Sequence, residues 1–236
     1  MARVRSYTQY VVTGANRGIG LEFVKQLAED GKHIIATARD PDGASELQAI
    51  AAVSEQRVRI MQLDIADAAS VDAFVEEIAN LDIDALINNA GIYPRSGSLG
   101  SIDWDTARKG FEVNTIAPLR LSEALLPNVK RSKGKLIMNV TSQMGSIDDN
   151  GSGGSYAYRM SKTALNMGTR SLANDTRGDG VIAFVIHPGW VQTDMGGPNA
   201  KITTAKSVSG MLSVLHNATD ETSGAFMNWN GSTLPW

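Results

Sequence analysis

Seven short apolar runs punctuate the chain, and amphipathic stretches fill the gaps between them. The runs are Tyr10–Thr13, His33–Ala38, Val58–Leu63, Ala85–Asn88, Leu136–Val140, Val181–Ile186 and Ala225–Trp229. They are rich in Val and Ile and several are apolar throughout, the pattern of strands covered on both faces. Leu21–Glu29 sets Phe23, Val24, Leu27 and Ala28 on one side of a helix, and Gly31 follows as a stop. Asp67–Asn80, Trp104–Val129 and Tyr158–Thr176 behave similarly, the last with Ala164, Leu165 and Leu172 on one flank. Strand and helix alternate over the entire length. This predicts a doubly wound α/β sheet of about seven parallel strands with helices on both faces. No repeat or linker divides it, and the Gly/Ser patch Asn150–Ser155 is short, so residues 1–236 are expected to form a single domain.

Composition narrows the chemistry. Hydrophobic residues are 42% and charged residues 20% of 236, near globular averages, so a sizeable core is expected. A net charge of −3 and a pI near 5.6 argue against nucleic-acid or anionic-lipid partners. Lys130, Arg131, Lys133 and Lys135 follow a helical pattern and read as a solvated helix C-terminus. The absence of cysteine excludes disulfides, thiol nucleophiles and thiolate metal sites, and suits a reducing compartment such as the cytoplasm. Only His33, His187 and His216 exist, without ligand spacing, so no metal site is expected. The opening MARVRSYTQYVV has no long apolar run before Gly14 and is not read as a secretory leader. No segment approaches the ~20 apolar residues needed to cross a bilayer.

Between the first strand and the first helix lies TGANRGIG, Thr13–Gly20. Glycines at 14, 18 and 20 let the backbone turn tightly and approach a ligand. The helix that starts there presents free N–H groups to an anion such as a pyrophosphate. A plain β–α turn is the competing reading. The spacing is Gly-x-x-x-Gly-x-Gly, and no Gly-Lys-Ser/Thr follows, so it is not a P-loop.

With that turn stand Asp64 after the third strand, Asn88-Asn89-Ala90-Gly91 after the fourth, and Asn114 in the long helix. Ser142 after the fifth strand, Tyr158-x-x-x-Lys162, and Pro188-Gly189 followed by Thr193 complete the set. In this order the chain resembles the short-chain dehydrogenase/reductase family along nearly all its length. VTSQMGSI, HPGWVQTDMGG and NGSTLPW are similar to the branch of C-factor and sniffer-type carbonyl reductases. The resemblance implies a Rossmann fold and hydride transfer between a nicotinamide cofactor and a carbonyl or secondary alcohol. It assigns Gly14, Asn16, Arg17, Gly18, Ile19 and Gly20 to the cofactor, with Asp64 and Ile65 flanking adenine. Asn88, Ala90 and Gly91 would meet the ribose and middle of the cofactor, and Pro188, Gly189, Val191 and Thr193 the nicotinamide. Family relatives that prefer NAD end the second strand with an acidic residue. Here Ala38 holds that place and Arg39 follows. Arg17 and Arg39 could grip a 2′-phosphate through fork-shaped bonds, so NADP(H) is favoured over NAD(H). Both could equally be surface residues, and Asp40 beside Arg39 is a counter-signal.

Tyr158 and Lys162 lie one helical turn apart. A free phenol with a pKa of about 10 matches neutral pH poorly. An ammonium about 5 Å away at an effective dielectric near 20 contributes roughly 3 kcal/mol and is expected to lower that pKa by about two units. The resemblance makes Tyr158 the general acid or base, with Lys162 also on the nicotinamide ribose. Ser142 would orient the carbonyl, with Thr141 its nearest competitor, and Asn114 would hold a water leading from Lys162. A polar helix residue without function is the alternative for Asn114. Tyr156, lacking a lysine partner, reads as packing or pocket lining. A hydrolase pairing of His187 with Ser142 is disfavoured, because no G-x-S-x-G elbow surrounds the serine. The competing class is a non-catalytic NADP(H)-binding sensor or signalling protein. Residues near 193–206 are expected to form a substrate flap, with Met144, Ile147, Trp190 and Met195 as an apolar pocket. A homo-oligomer, dimer or tetramer, is what the family suggests.

Overall fold

In the computed structural model, which describes residues 5–236, the seven apolar runs become seven strands. They are β1 (Gln9–Val12), β2 (His33–Ala38), β3 (Val58–Gln62), β4 (Ala85–Asn88), β5 (Leu136–Val140), β6 (Ile182–His187) and β7 (Phe226–Asn228). Met1–Val4, the start of the segment read as carrying no leader, lie outside the described residues. Every neighbouring pair runs parallel, and the sheet order is β3-β2-β1-β4-β5-β6-β7. The chain thus winds outward from β1 to β3, then returns to β4 on the other side of β1. A crevice opens beyond the strand ends where the winding reverses.

The helices are α1 (Gly18–Glu29), α2 (Ser45–Val53), α3 (Ala68–Glu77), α4 (Trp104–Phe111), α5 (Ala117–Ala124), α6 (Leu126–Arg131), α7 (Tyr156–Asp175) and α8 (Thr204–His216). Side chains alternate along each strand, which divides the core in two. Tyr10, Val12, Ile34, Ala36, Ile87, Met138 and Phe184 face α1, α2 and α8, meeting Phe23, Leu27, Leu47, Met211 and Leu215. Val11, Ile35, Leu86, Ile137 and Ala183 face the other way, against Val71, Phe74, Leu121, Val129 and Ala173. Each large side chain buried in this way contributes about 1.5–3 kcal/mol.

Three local readings change. The stretch Trp104–Val129, expected as one helix, is α4, a π-helical turn at Glu112–Ile116, α5 and α6. Pro118 and Pro127 are responsible, since neither has an N–H to donate. Pro118 stands four residues after Asn114, so the Asn114 carbonyl has no α-helical donor, and Ala117 N instead reaches back five residues to Glu112 O. The apolar pattern predicts neither α2 nor α8. Only Leu47 of α2 is buried, leaving a weak pattern. In α8 a Ser/Thr/Gly-rich composition disguises a buried stripe of Val208, Met211, Leu212 and Leu215, and Thr203 caps its start by accepting from Lys206 N at 3.2 Å. The turn-rich segment read as a flap therefore stops at Thr203, and residues 204–206 belong to α8.

Candidate active site

A cleft of about 900 Å³ lies at the carboxyl ends of the central strands. Its wall takes Arg17 and Ile19 after β1, Gly91 to Tyr93 after β4, Thr141 to Met144 after β5, and His187 to Val191 from the end of β6 onward. Tyr158 on α7 completes it, with Thr193 to Gly196 at the rim.

Steric contact dictates the glycine turn. Gly14 has a φ of +63°, and a Cβ there would sit 2.9 Å from Ala90 Cα. A Cβ on Gly20 would run into the Gly14 carbonyl, so only glycine lets α1 start this close to the turn. Asn89 locks the two turns together. Its Nδ2 donates to the carbonyls of Thr13 (2.9 Å) and Gly14 (3.2 Å), while the N–H groups of Asn89 and Ala90 both donate to Thr13 Oγ1. Ala15 N bonds Thr37 O on β2. No side chain caps α1, because Arg17 precedes it in an extended conformation and carries no acceptor; its guanidinium donates to Asp194 at 3.0 Å. The first N–H groups of α1 are thus free of side-chain acceptors. Asn16 and Arg17 are exposed, and Gly18 and Ile19 are half-buried.

Burial governs the opposite wall. Tyr158, Lys162 and Ser142 are 8%, 5% and 7% exposed. Lys162 Nζ donates to the Val140 carbonyl at 2.9 Å. Ser142 Oγ accepts from Met144 N at 3.1 Å, and Ser142 lines the cleft together with Tyr158. Thr141, the competitor, spends its hydroxyl on Asn166 Oδ1 at 2.7 Å. Burial pushes the Tyr158 phenol up to about 12, the Ser142 hydroxyl beside it pulls it back, and neighbouring Tyr93 raises it further. Burial also brings Lys162 down to about 8. The expected lowering of Tyr158 by Lys162 is therefore not seen: the cost of a buried phenolate prevails, and the ammonium bonds the backbone of β5.

Asn114 is fully buried, and both ends of its amide are engaged. Oδ1 accepts from Ile92 N (2.8 Å), and Nδ2 donates to Ile92 O (2.9 Å) and Ser161 Oγ (3.1 Å). Its side chain thus fixes the segment after Gly91, and the backbone carbonyl stripped of its α-helical donor by Pro118 is the group left over. A Cβ on Gly91 would come 3.2 Å from Asn114 Oδ1 and 3.7 Å from Lys162 Nζ, so these groups close around that glycine.

Other expected residues are distributed unevenly. Arg39 is exposed beyond β2, offering only its carbonyl, to Gln62. Asp64 Oδ1 accepts from Ala66 N (3.0 Å), while the Ile65 side chain belongs to the second core layer. The Asn88 amide is an internal strut, donating to Ser122 Oγ (2.9 Å) and Asn139 Oδ1 (2.7 Å). Pro188 O accepts from Ser207 Oγ at 2.6 Å. Gly189 has a φ of +86°, and a Cβ there would run into Ile202 and come 3.0 Å from the Trp229 ring. Val191 bridges to Ile202, and Thr193 Oγ1 accepts from Gly196 N at 3.1 Å. Met144, Trp190 and Met195 line the cleft, whereas Ile147 is 70% exposed and does not. Tyr156 is absent from the wall.

The aromatic neighbour that matters is Tyr93, which sequence reasoning passed over. Its ring centroid lies 4.6 Å from that of Tyr158, and its hydroxyl bonds Ser155 Oγ at 2.7 Å. Its place two residues after Asn-Asn-Ala-Gly was the available signal. His187 also lines the cleft, with Nδ1 buried and without a partner, and burial holds it neutral by bringing it down to about 4. Among the described residues no cluster could hold a metal ion, and no helix is long and apolar enough to cross a membrane.

Comparison with known proteins agrees with this geometry. The family model for short chain dehydrogenase matches residues 9–203. The C-signal protein of Myxococcus xanthus is 43% identical over 164 residues, spanning 70% of this chain and 99% of that protein. The carbonyl reductase Sniffer of D. melanogaster superposes with a TM-score of 0.93 at 32% identity, covering 98% of this chain and all of that one. An NADPH-bound carbonyl reductase from chicken fatty liver gives 0.91 at 40% identity, over 99% of this chain and 100% of its own.

Proposed function

The chain belongs to the short chain dehydrogenase family, and on that premise we propose that it is an NADP(H)-dependent carbonyl reductase whose proton donor is Tyr158. The observation that carries this reading is a buried, neutral Tyr158 phenol sharing the cleft at the strand switch point with Ser142. When bound, the nicotinamide supplies or accepts the hydride. All else falls to the chain's own residues.

The donor set suits such a cofactor. The uncapped start of α1 beside Gly14 and Gly18 offers N–H groups to a pyrophosphate. Arg39, exposed past the end of β2, is free to pair with a 2′-phosphate, and Arg17 would join it by leaving Asp194. Asn16, Ile19 and Gly20 shape the same turn. Asp64, Ile65 and Asn88 would contribute through backbone or turn geometry, since the Ile65 and Asn88 side chains face inward. Ala90 and Gly91 keep the opposite side low, and Pro188, Gly189, Val191 and Thr193 form the far wall. The orphan Nδ1 of His187 is a further polar contact available there.

Tyr158 holds its proton well above neutral pH, so it is loaded to protonate a carbonyl oxygen as negative charge gathers there. Ser142 donates to the same oxygen and sets its direction. Lys162, buried against Val140 O, provides the nearby cation and a donor for the ribose. Asn114 positions Ile92 and leaves its carbonyl to order a water towards Lys162.

The substrate is a small molecule. A cytoplasmic setting fits the cysteine-free composition, and exposed Trp104, Ile116 and Met167 on the α4–α7 side offer a face for self-association. A purely non-catalytic sensor has no need of a buried phenol and a serine sharing the cleft. The test is to follow NADPH absorbance with purified protein and a panel of aldehydes and ketones. Carbonyl-dependent loss supports the reading, and cofactor binding without turnover across the panel rejects it.

A further inference from the structure

The charged groups around the cleft do not cancel. Arg17, Arg95 and Arg159 line it together with Asp149 and Asp194. Asp194 is paired with Arg17, while Asp149 accepts from the neutral Gln143 amide and keeps its charge. Three guanidiniums against two carboxylates leave the cleft with a net positive charge. Arg159 meets only neutral acceptors: Ser152 Oγ at 2.9 Å, Gly153 O at 3.2 Å and Met144 O at 3.4 Å. No carboxylate among the described residues lies within ion-pair distance of it, and Arg95 makes no side-chain hydrogen bond at all. A half-buried guanidinium tethered in place without a counter-charge is an arranged anion acceptor rather than a wandering surface cation. Its position is informative as well. Arg159 directly follows Tyr158 in sequence, and Arg95 comes two residues after Tyr93, whose ring packs on Tyr158. Both cations therefore stand on the side of the cleft that holds the proton donor, not on the glycine turn. The same cleft carries apolar and aromatic side chains, among them Tyr93, Met144, Trp190 and Met195.

We propose that Arg95 and Arg159 form an anion subsite, so that the preferred substrates are carbonyl compounds carrying a carboxylate or similar anion at the end of an apolar tail. The proposal rests on the reductase reading above and specifies the substrate class of that same cleft. The carbonyl lies at Tyr158 and Ser142, the tail meets the apolar side chains, and the anion meets the guanidiniums at the mouth. Because the mouth is open to solvent, the attraction is screened by salt.

The test pairs adipate semialdehyde, an aliphatic ω-oxo acid, with its methyl ester. The aldehydes have nearly the same intrinsic reactivity, so the ratio of kcat/KM reads the tail alone. We expect the acid to be favoured by about tenfold or more, mainly through KM, with the ratio shrinking at high salt. Arg95→Gln and Arg159→Gln should each lower the ratio and together bring it near one, while Arg159→Lys keeps part of it. Arg159 also holds the Ser152–Gly153 turn, so Arg95→Gln, which removes no internal bond, isolates the charge. A wild-type ratio near one, or a ratio unchanged in the double variant, overturns the subsite. Adipate titrated against tryptophan fluorescence reads it without turnover: weaker binding in the double variant supports the proposal, and equal binding overturns it. A protein that reduces neither aldehyde yet holds adipate through these arginines fails the reductase reading and retains the subsite.

Discussion

On one side of the cleft Gly14 and Gly20 leave no room for a single added carbon; on the other, Tyr158, Ser142 and Lys162 are full-sized polar side chains packed almost out of reach of water. The first wall is made by backbone sterics, and its chemistry is the chemistry of exposed N–H groups. The second is made by desolvation, which sets who holds a proton. The contrast explains why they should respond to change in different ways. The glycine wall fails by collision and loses the ligand. The α7 wall fails by losing one oxygen or one charge, with the fold intact.

The largest effect is expected at the second wall. Tyr158→Phe removes the proton donor and should lower kcat by roughly 10²–10⁴-fold with NADPH affinity retained; steady-state kinetics beside a cofactor titration would show it. Gly20→Ala attacks the first wall. Its methyl meets the Gly14 carbonyl, so stability should fall by about 1–3 kcal/mol and cofactor affinity with it, measured by thermal melting and fluorescence titration. Arg39→Asp should invert the preference for NADP(H) over NAD(H), by about tenfold or more in the ratio of kcat/KM values, as a charge-assisted contact becomes repulsion.

The smallest effect is on stability, and its sign separates the two walls. The folded pKa of Lys162 is about 8, below its ordinary 10.5, so the fold disfavours its charged form. That burden is fully present below pH 8 and fades as pH rises towards 10.5. Lys162→Met should therefore abolish useful activity yet melt higher at pH 7, by about 1–2 kcal/mol, after the bond to Val140 O is forfeited. The advantage should shrink between pH 8 and 10.5. A uniform loss of stability across that range would show the lysine to be a structural prop.

The same contrast governs what could be read from the sequence. Strand positions and the glycine turn were legible because β-branched runs and obligatory glycines write sterics into residue type. The motif resemblance singled out Asn114, Ser142, Tyr158 and Lys162; Ser142 and Tyr158 line one cleft, and Lys162 lies one turn along α7 from Tyr158. Asn114 was placed in an unbroken helix, although Pro118 four residues on signals that its carbonyl lacks an α-helical partner. The charge states were not legible. A pairwise estimate of Lys162 acting on Tyr158 omits desolvation, which depends on what α4, α7 and β5 pack around both groups. Tyr93, Ser207 and Trp229, each remote in sequence from the residue it supports, carry no motif of their own. The helix α8 was hidden by serines and glycines whose backbone is ordered by Met211 and Leu215.

Titration of Tyr158 itself tests the central physical point, with tyrosine ring carbons isotopically labelled, followed by NMR across pH in the cofactor-free protein and assigned by comparison with Tyr158→Phe. If burial holds the proton, Tyr158 stays protonated through the alkaline range and ionises only near 12. A phenolate appearing near pH 8 would contradict this and return control of the site to the lysine.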